Sequence, residues 1–171
     1  DLMPVRNRLA RLWRHVWCDR ATVRHRFPAS VLAEVGQRIA AGELRHGAEV
    51  RVAIEASLGL PAVWARATPR HRALEVFGAL RVWDTEHNNG VLIYVLLADH
   101  AVEIVADRSA ARAIADAEWR AITDAMTDAF RAGRYRDGLF AALDRLEAVL
   151  TGAFPAVNHN PDELPNRPAL R

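Results

Sequence analysis

The sequence predicts an α/β domain with a small mixed β-sheet, and three observations predict it. Around Val50–Ala56, the residues Val50, Val52 and Ile54 alternate with Glu49, Arg51 and Glu55, the two-residue period of a strand. Thr68-Pro69 then opens a helix, a capping hydroxyl followed by proline at the first helical position. Beyond it, Val91–Leu97 and Ala101–Asp107 are apolar runs separated only by Ala98, Asp99 and His100. Strand, helix and strand form a βαβ unit with a right-handed crossover, so the first two strands run parallel. So short a link leaves no room for a second crossover, and the last two strands fold back antiparallel.

The remaining elements follow from periodicity. Residues 5–17 place Val5, Leu9, Leu12, Trp13, Val16 and Trp17 on an apolar stripe, with Arg6, Arg8, Arg11 and Arg14 around the rest of the wheel. This amphipathic helix either packs on the domain with its basic face outward, or lies on an anionic membrane surface or a membrane-protein partner. Cys18 borders the stripe as a small apolar residue. After Phe27-Pro28, Leu32, Val35 and Ile39 mark a second helix that Gly42 stops. The first strand is expected to bury one face and leave the other polar, and Gly59–Thr68 reads as a loop. Leu74, Phe77 and Leu80 supply the core stripe of the helix after Pro69.

A long helix over residues 109–131 carries Ile114, Trp119, Ile122, Met126, Ala129 and Phe130 and ends at Gly133. A last helix over residues 136–150 uses Leu139, Leu143, Leu146 and Leu150. Beyond it, Gly152, Pro155, Pro161, Pro165 and Pro168 forbid regular structure. The chain thus divides into an N-terminal helical segment (1–27), a globular domain (28–152) and an extended Pro-rich tail (153–171).

Composition narrows the function. A chain of 171 residues, 51% hydrophobic and 26% charged, is an ordinary globular domain that buries about two-thirds of its unfolded surface. The formal charge is only +2 and every basic residue except histidine is arginine. No strand interleaves arginines with aromatics, which argues against nucleic acid as a partner. The single cysteine, Cys18, excludes an internal disulfide and a thiolate metal cage. Apolar runs such as Val91–Ala98 fall far short of the roughly 20 residues that cross a bilayer, which implies a cytoplasmic or membrane-peripheral protein. The chain starts at Asp1 without a signal-type apolar segment, and this is compatible with a trimmed targeting sequence.

The candidate site is the loop Trp83-Asp84-Thr85-Glu86-His87-Asn88-Asn89-Gly90. A turn centred near Asp99 sets Asp107 opposite Val91 and so returns a carboxylate to this loop. Asp84, Glu86, Asn88, Asn89 and Asp107 then offer the oxygens that Ca2+ or Mg2+ prefers. Asn88-Asn89-Gly90 also satisfies a plain turn with positive φ, with the acids facing solvent. His87 is the candidate general acid, ligand or orienting hydrogen-bond donor to a phosphate, or else a plain exposed loop histidine. Arg108 is the candidate phosphate clamp, or else a salt-bridge partner of Asp107 or Glu86. Glu49 opens the first strand either toward the same cluster or at a solvent-facing strand end, Asp137 meets a helix dipole, and His100 and Glu103 read as surface. There is no Gly-x-Ser-x-Gly elbow, phosphate-cradling Gly-Lys-Thr loop, dinucleotide fingerprint or His-Glu-x-x-His helix. Any hydrolysis is therefore expected to be metal-assisted.

The element order resembles the TPM domain family, the phosphatase-associated domain of thylakoid-lumen and bacterial envelope proteins. The residues that carry the resemblance are Glu49–Ile54, then Asn89-Gly90-Val91-Leu92-Ile93 with Asp99 and Val102-Glu103-Ile104-Val105, then Phe130–Leu139. The resemblance implies a three-layer sandwich with helices on both faces of the sheet, divalent-ion binding by acidic loops beside the sheet, and phosphatase activity. The family commonly follows the second hairpin strand with a Gly-Tyr-Gly-Leu-Glu type segment, where this chain has Ala106-Asp107-Arg108-Ser109-Ala110. Two functions follow as expectations: a divalent-ion-binding domain with phosphatase-type activity, or a non-enzymatic adaptor or assembly domain at the membrane surface through Trp13, Trp17 and the arginine face.

Overall fold

A computed structural model describes residues 5–156 and 163–171, with the side chains of 5–8 left aside. Residues 1–4 of the N-terminal segment and Pro161 of the tail lie outside the described residues.

Helices α1 (Val5–Trp17), α2 (Arg20–Arg26) and α3 (Ala29–Glu43) lead into strand β1 (Val50–Glu55). Helices α4 (Leu60–Trp64) and α5 (Pro69–Ala79) connect it to β2 (Val91–Leu96), which turns through a 3₁₀ segment (Leu97–Asp99) into β3 (Ala101–Ala106). Helices α6 (Arg108–Ala113), α7 (Asp116–Arg131) and α8 (Tyr135–Ala153) follow, and β4 (Ala169–Leu170) ends the chain. The sheet order is β3-β2-β1-β4, with β1 parallel to β2 and β4, and β2 antiparallel to β3. The fold is therefore the mixed α/β sheet expected, with the N-terminal helix added.

Both sheet faces are covered. Val50, Val52, Ile54, Val91, Ile93 and Val95 pack against Val35, Ile39, Ile122, Met126, Phe130 and the leucines of α8. Ala53, Leu92, Tyr94 and Leu96 pack against Val63, Ala73 and Val76 on the other face. Double coverage corrects the expectation of one polar face on β1, because all six of its residues are buried. Arg51 and Glu55 are tolerated there because each is hydrogen-bonded, as buried charges must be. Arg51 Nη1 donates to the carbonyls of Pro165 and, at 2.8 Å, Arg167. Glu55 accepts from Arg72 at 2.8 and 2.9 Å and from the Tyr94 hydroxyl at 2.6 Å.

Several local expectations change. The Thr68 hydroxyl caps α5 by accepting from His71 N–H at 3.1 Å, as the Thr-Pro signal predicts. Leu74 is 49% exposed, however, and Ala73 and Val76 fill that core position instead. The loop 59–68 contains α4, whose first turn holds Pro61, a position where the missing N–H costs nothing. The expected helix 109–131 is two helices, because Ile114 turns extended (φ −117°, ψ 129°) to bury its side chain in the core. The last helix runs on through Gly152 to Ala153, and among the described residues of the tail Ala169 and Leu170 pair with Ala53 and Ile54 as a fourth strand.

The N-terminal helix docks the other way round. Arg11 and Arg14, expected on an outer face, point inward: Arg11 Nη2 meets Asp99 Oδ2 at 2.7 Å and Arg14 Nε donates to Ala98 O at 3.0 Å. His15 is buried beside them. Its Nδ1 accepts from Leu58 N–H at 2.9 Å, so its Nε2 carries the proton that faces Asp99 Oδ1 at 3.1 Å.

Candidate cation seat at the open end of the hairpin

Chain reversal at Leu97–Asp99 brings the end of β3 back to the start of β2. The register pairs Val91 with Ala106 and not with Asp107, one residue off the expected centre. Asp107 consequently sits beyond the ladder, with its N–H donating to Gly90 O at 2.8 Å, and serves as the N-cap of α6. Ser109 N–H donates to Asn88 O at 2.9 Å, a second strut between the two segments.

The loop between α5 and β2 is held by its own polar groups. Asn88 takes φ +51°, a left-handed conformation that asparagine tolerates. Asn89 N–H donates to the Thr85 hydroxyl at 3.2 Å, and Asn89 Nδ2 donates to Gly47 O at 2.6 Å. The second bond fixes the amide orientation, since only the nitrogen donates to a carbonyl. Gly90 does not supply the positive φ of this turn. Its role is close approach: a Cβ there would fall onto the Val82 carbonyl oxygen.

Two oxygens are left over. Asn89 Oδ1 and Asp107 Oδ2 are both buried without a hydrogen-bond partner among the described residues. The other Asp107 oxygen accepts from Arg108 N–H at 2.7 Å. An unsatisfied buried acceptor costs about 1–3 kcal/mol, so the pair fits a group that brings positive charge or donors to it.

The other candidates differ from this pair in exposure. Asp84 is exposed and takes Arg81 Nη2 at 2.5 Å. Glu86 is exposed, and its N–H donates to the Glu163 carboxylate at 2.9 Å. His87 is exposed. Among the described residues no three His, Cys, Asp or Glu side chains gather as a metal-holding group, so Asp84, Glu86 and Asp107 do not converge. Arg108 is three-quarters exposed, with Nη2 on Asn88 Oδ1 at 2.9 Å and Nε 3.8 Å from Asp107.

Groups outside the acidic loop also build the region. Glu49 is 1% exposed, which corrects the solvent-facing strand end, and its Oε2 accepts from Leu164 N–H at 3.1 Å. His46 lies three residues before it in sequence, buried, with Nδ1 on Ala48 O at 3.0 Å; burial pushes its pKa down. The tail residues Glu163 and Leu164 thus close one side of the loop, a contact with no local sequence signal because its halves are far apart in the chain.

The opposite end of the sheet holds Asp99. Burial raises its pKa, but hydrogen bonds from His15 and Arg11 outweigh burial and hold the carboxyl well below the usual carboxylate range. No helix among the described residues is long and apolar enough to cross a membrane.

Residues 24–149 match the TPM domain family. The fold is similar to the NMR structure of the BA42 protein from the psychrophilic bacterium Bizionia argentinensis, at 26% identity and a TM-score of 0.75, over 85% of this chain and 95% of that one. The curated proteins include no match. With a match over most of its length and a shared architecture, this chain belongs to the TPM domain family.

Proposed function

We propose that this TPM domain binds a hard divalent cation at the open end of the hairpin and that its chemistry is metal-assisted hydrolysis of a phosphomonoester. The observation that carries the reading is the pair of buried acceptors, Asp107 Oδ2 and Asn89 Oδ1, that no described group satisfies. One carboxylate and one amide oxygen suit Mg2+, which keeps several waters and takes one or two carboxylates. Ca2+ wants six to eight oxygens and fits this sparse set less well.

An ion held there supplies a Lewis acid for a phosphoryl oxygen. The residues divide the remaining work. Thr85 and Gly47 hold Asn89 in place, the Gly90 carbonyl holds Asp107, and the exposed guanidinium of Arg108, held by Asn88 beside Asp107, offers its remaining donors to an anion. The family's association with phosphatases supports the reaction class. Asp84, Glu86 and His87 are exposed and take no part as ligands in this reading.

Calorimetric titration of Mg2+ and Ca2+ into the whole chain tests the reading, alongside Asp107→Asn, which keeps a capping side chain. Saturable binding lost in the variant supports it. Absence of binding by the unmodified chain, or binding that Asp107→Asn leaves intact, refutes it.

A further inference from the structure

An amphipathic helix in a monomeric domain ordinarily buries its apolar stripe. Helix α1 docks instead through Arg11, Arg14 and His15, which reach Asp99 and Ala98 at the hairpin tip. At 100° per residue these three lie across the helix from Leu9, Trp13, Val16 and Trp17. That stripe is outward, with Trp13 60% and Trp17 76% exposed. Helix α4, which packs against α1, adds Leu60 and a Trp64 that is 79% exposed. The three tryptophans alone present on the order of 400 Å² of aromatic surface, as large as patches that mark an interaction site.

We propose that this composite face of α1 and α4 docks on an anionic lipid surface. Charge selects the occupant. Seven arginines against Asp1, Asp19 and the Asp99 that Arg11 and Arg14 meet leave residues 1–26 with their anchor at a formal charge of +4, whereas the whole chain carries +2. Exposed Arg20 and Arg66 follow Trp17 and Trp64 by three and two residues in the chain. A second copy of the same face would bring two cationic segments together, while an anionic headgroup layer neutralises them and accepts indole rings at its boundary. The Asp99 anchor holds the helix by its polar side, so the stripe is displayed without unfolding anything. The face lies at the end of the sheet away from Asn89 and Asp107, separated by six-residue strands, or roughly 20 Å. It is thus independent of the cation seat.

Flotation of the whole chain with phosphatidylcholine vesicles, with and without added phosphatidylglycerol, tests the proposal. Binding is expected only with phosphatidylglycerol, with a blue shift of tryptophan emission and weakening by salt. Trp13→Ser/Trp17→Ser is expected to bind about tenfold more weakly or worse, with an unchanged circular dichroism spectrum. Trp83→Ser, beside the cation seat, is expected to bind like the unmodified chain. No binding to anionic vesicles, or equal binding by the double variant, overturns the proposal. A dimer seen by sedimentation velocity and abolished by the double variant overturns it as well, since a second copy then covers the face.

Discussion

The backbone N–H of Asp107 donates to the carbonyl of Gly90 at 2.8 Å, and this bond joins the end of the hairpin to the loop that opens it. Gly90 allows the approach because its α-carbon faces the Val82 carbonyl, where a side chain has no room. Gly90→Ala is therefore expected to destabilise the fold by about 3 kcal/mol. The midpoint of urea unfolding measures it, and an unchanged midpoint would show that the loop shifts freely.

The Asp99 anchor makes stability depend on pH. Its folded pKa is depressed, so the stability it contributes is present above the unfolded value of about 3.9 and is lost as pH falls toward the folded one. Asp99→Asn is expected to lose about 3 kcal/mol at neutral pH, because Arg11 and buried His15 then face no charge. Urea midpoints from pH 7 to pH 3 should fall more steeply for the unmodified chain than for Asp99→Asn. Parallel curves would place the acid sensitivity elsewhere.

Tyr94 donates to Glu55 in the core, and burial followed by that bond drives its phenol pKa well above the usual range. Ionisation of Tyr94 is thereby tied to unfolding. Absorbance at the phenolate band is expected to rise identically for the unmodified chain and Tyr94→Phe until the fold opens. A smaller rise in the variant while the fold persists would contradict the buried Glu55–Tyr94 pair.

Arg51 holds the tail through the carbonyls of Pro165 and Arg167. Arg51→Met is expected to release β4, with faster amide exchange at Ala169 and Arg171, whose N–H groups face β1, and a loss of about 1–3 kcal/mol. Unchanged exchange at those amides would show that strand pairing alone secures the tail.

What was legible in the sequence is what local pattern encodes. The period of Val50, Val52 and Ile54, the Thr68-Pro69 cap and the short link at Asp99 each found their counterpart in the fold. What escaped depends on partners distant in the chain. Glu49 is buried because Leu164 reaches it, Arg51 because Pro165 and Arg167 do, and α1 turns Arg11 and Arg14 inward because Asp99 and Ala98 wait at the hairpin tip. The break at Ile114 carries no glycine or proline, so tertiary packing alone splits that helix. At the candidate site, the hairpin returns Asp107 to the Gly90 carbonyl, but the one-residue register offset moves Asp107 from the strand to a helix cap. Asp84 and Glu86 looked equivalent to it only because sequence proximity says nothing of burial.

Amide chemical shifts during titration of the whole chain with Mg2+ test the central claim most directly. The account predicts saturable shifts centred on Asn89, its side-chain NH2, Gly90, Asp107 and Arg108. Shifts confined to the exposed acids Asp84 and Glu86, or none at all, would contradict it.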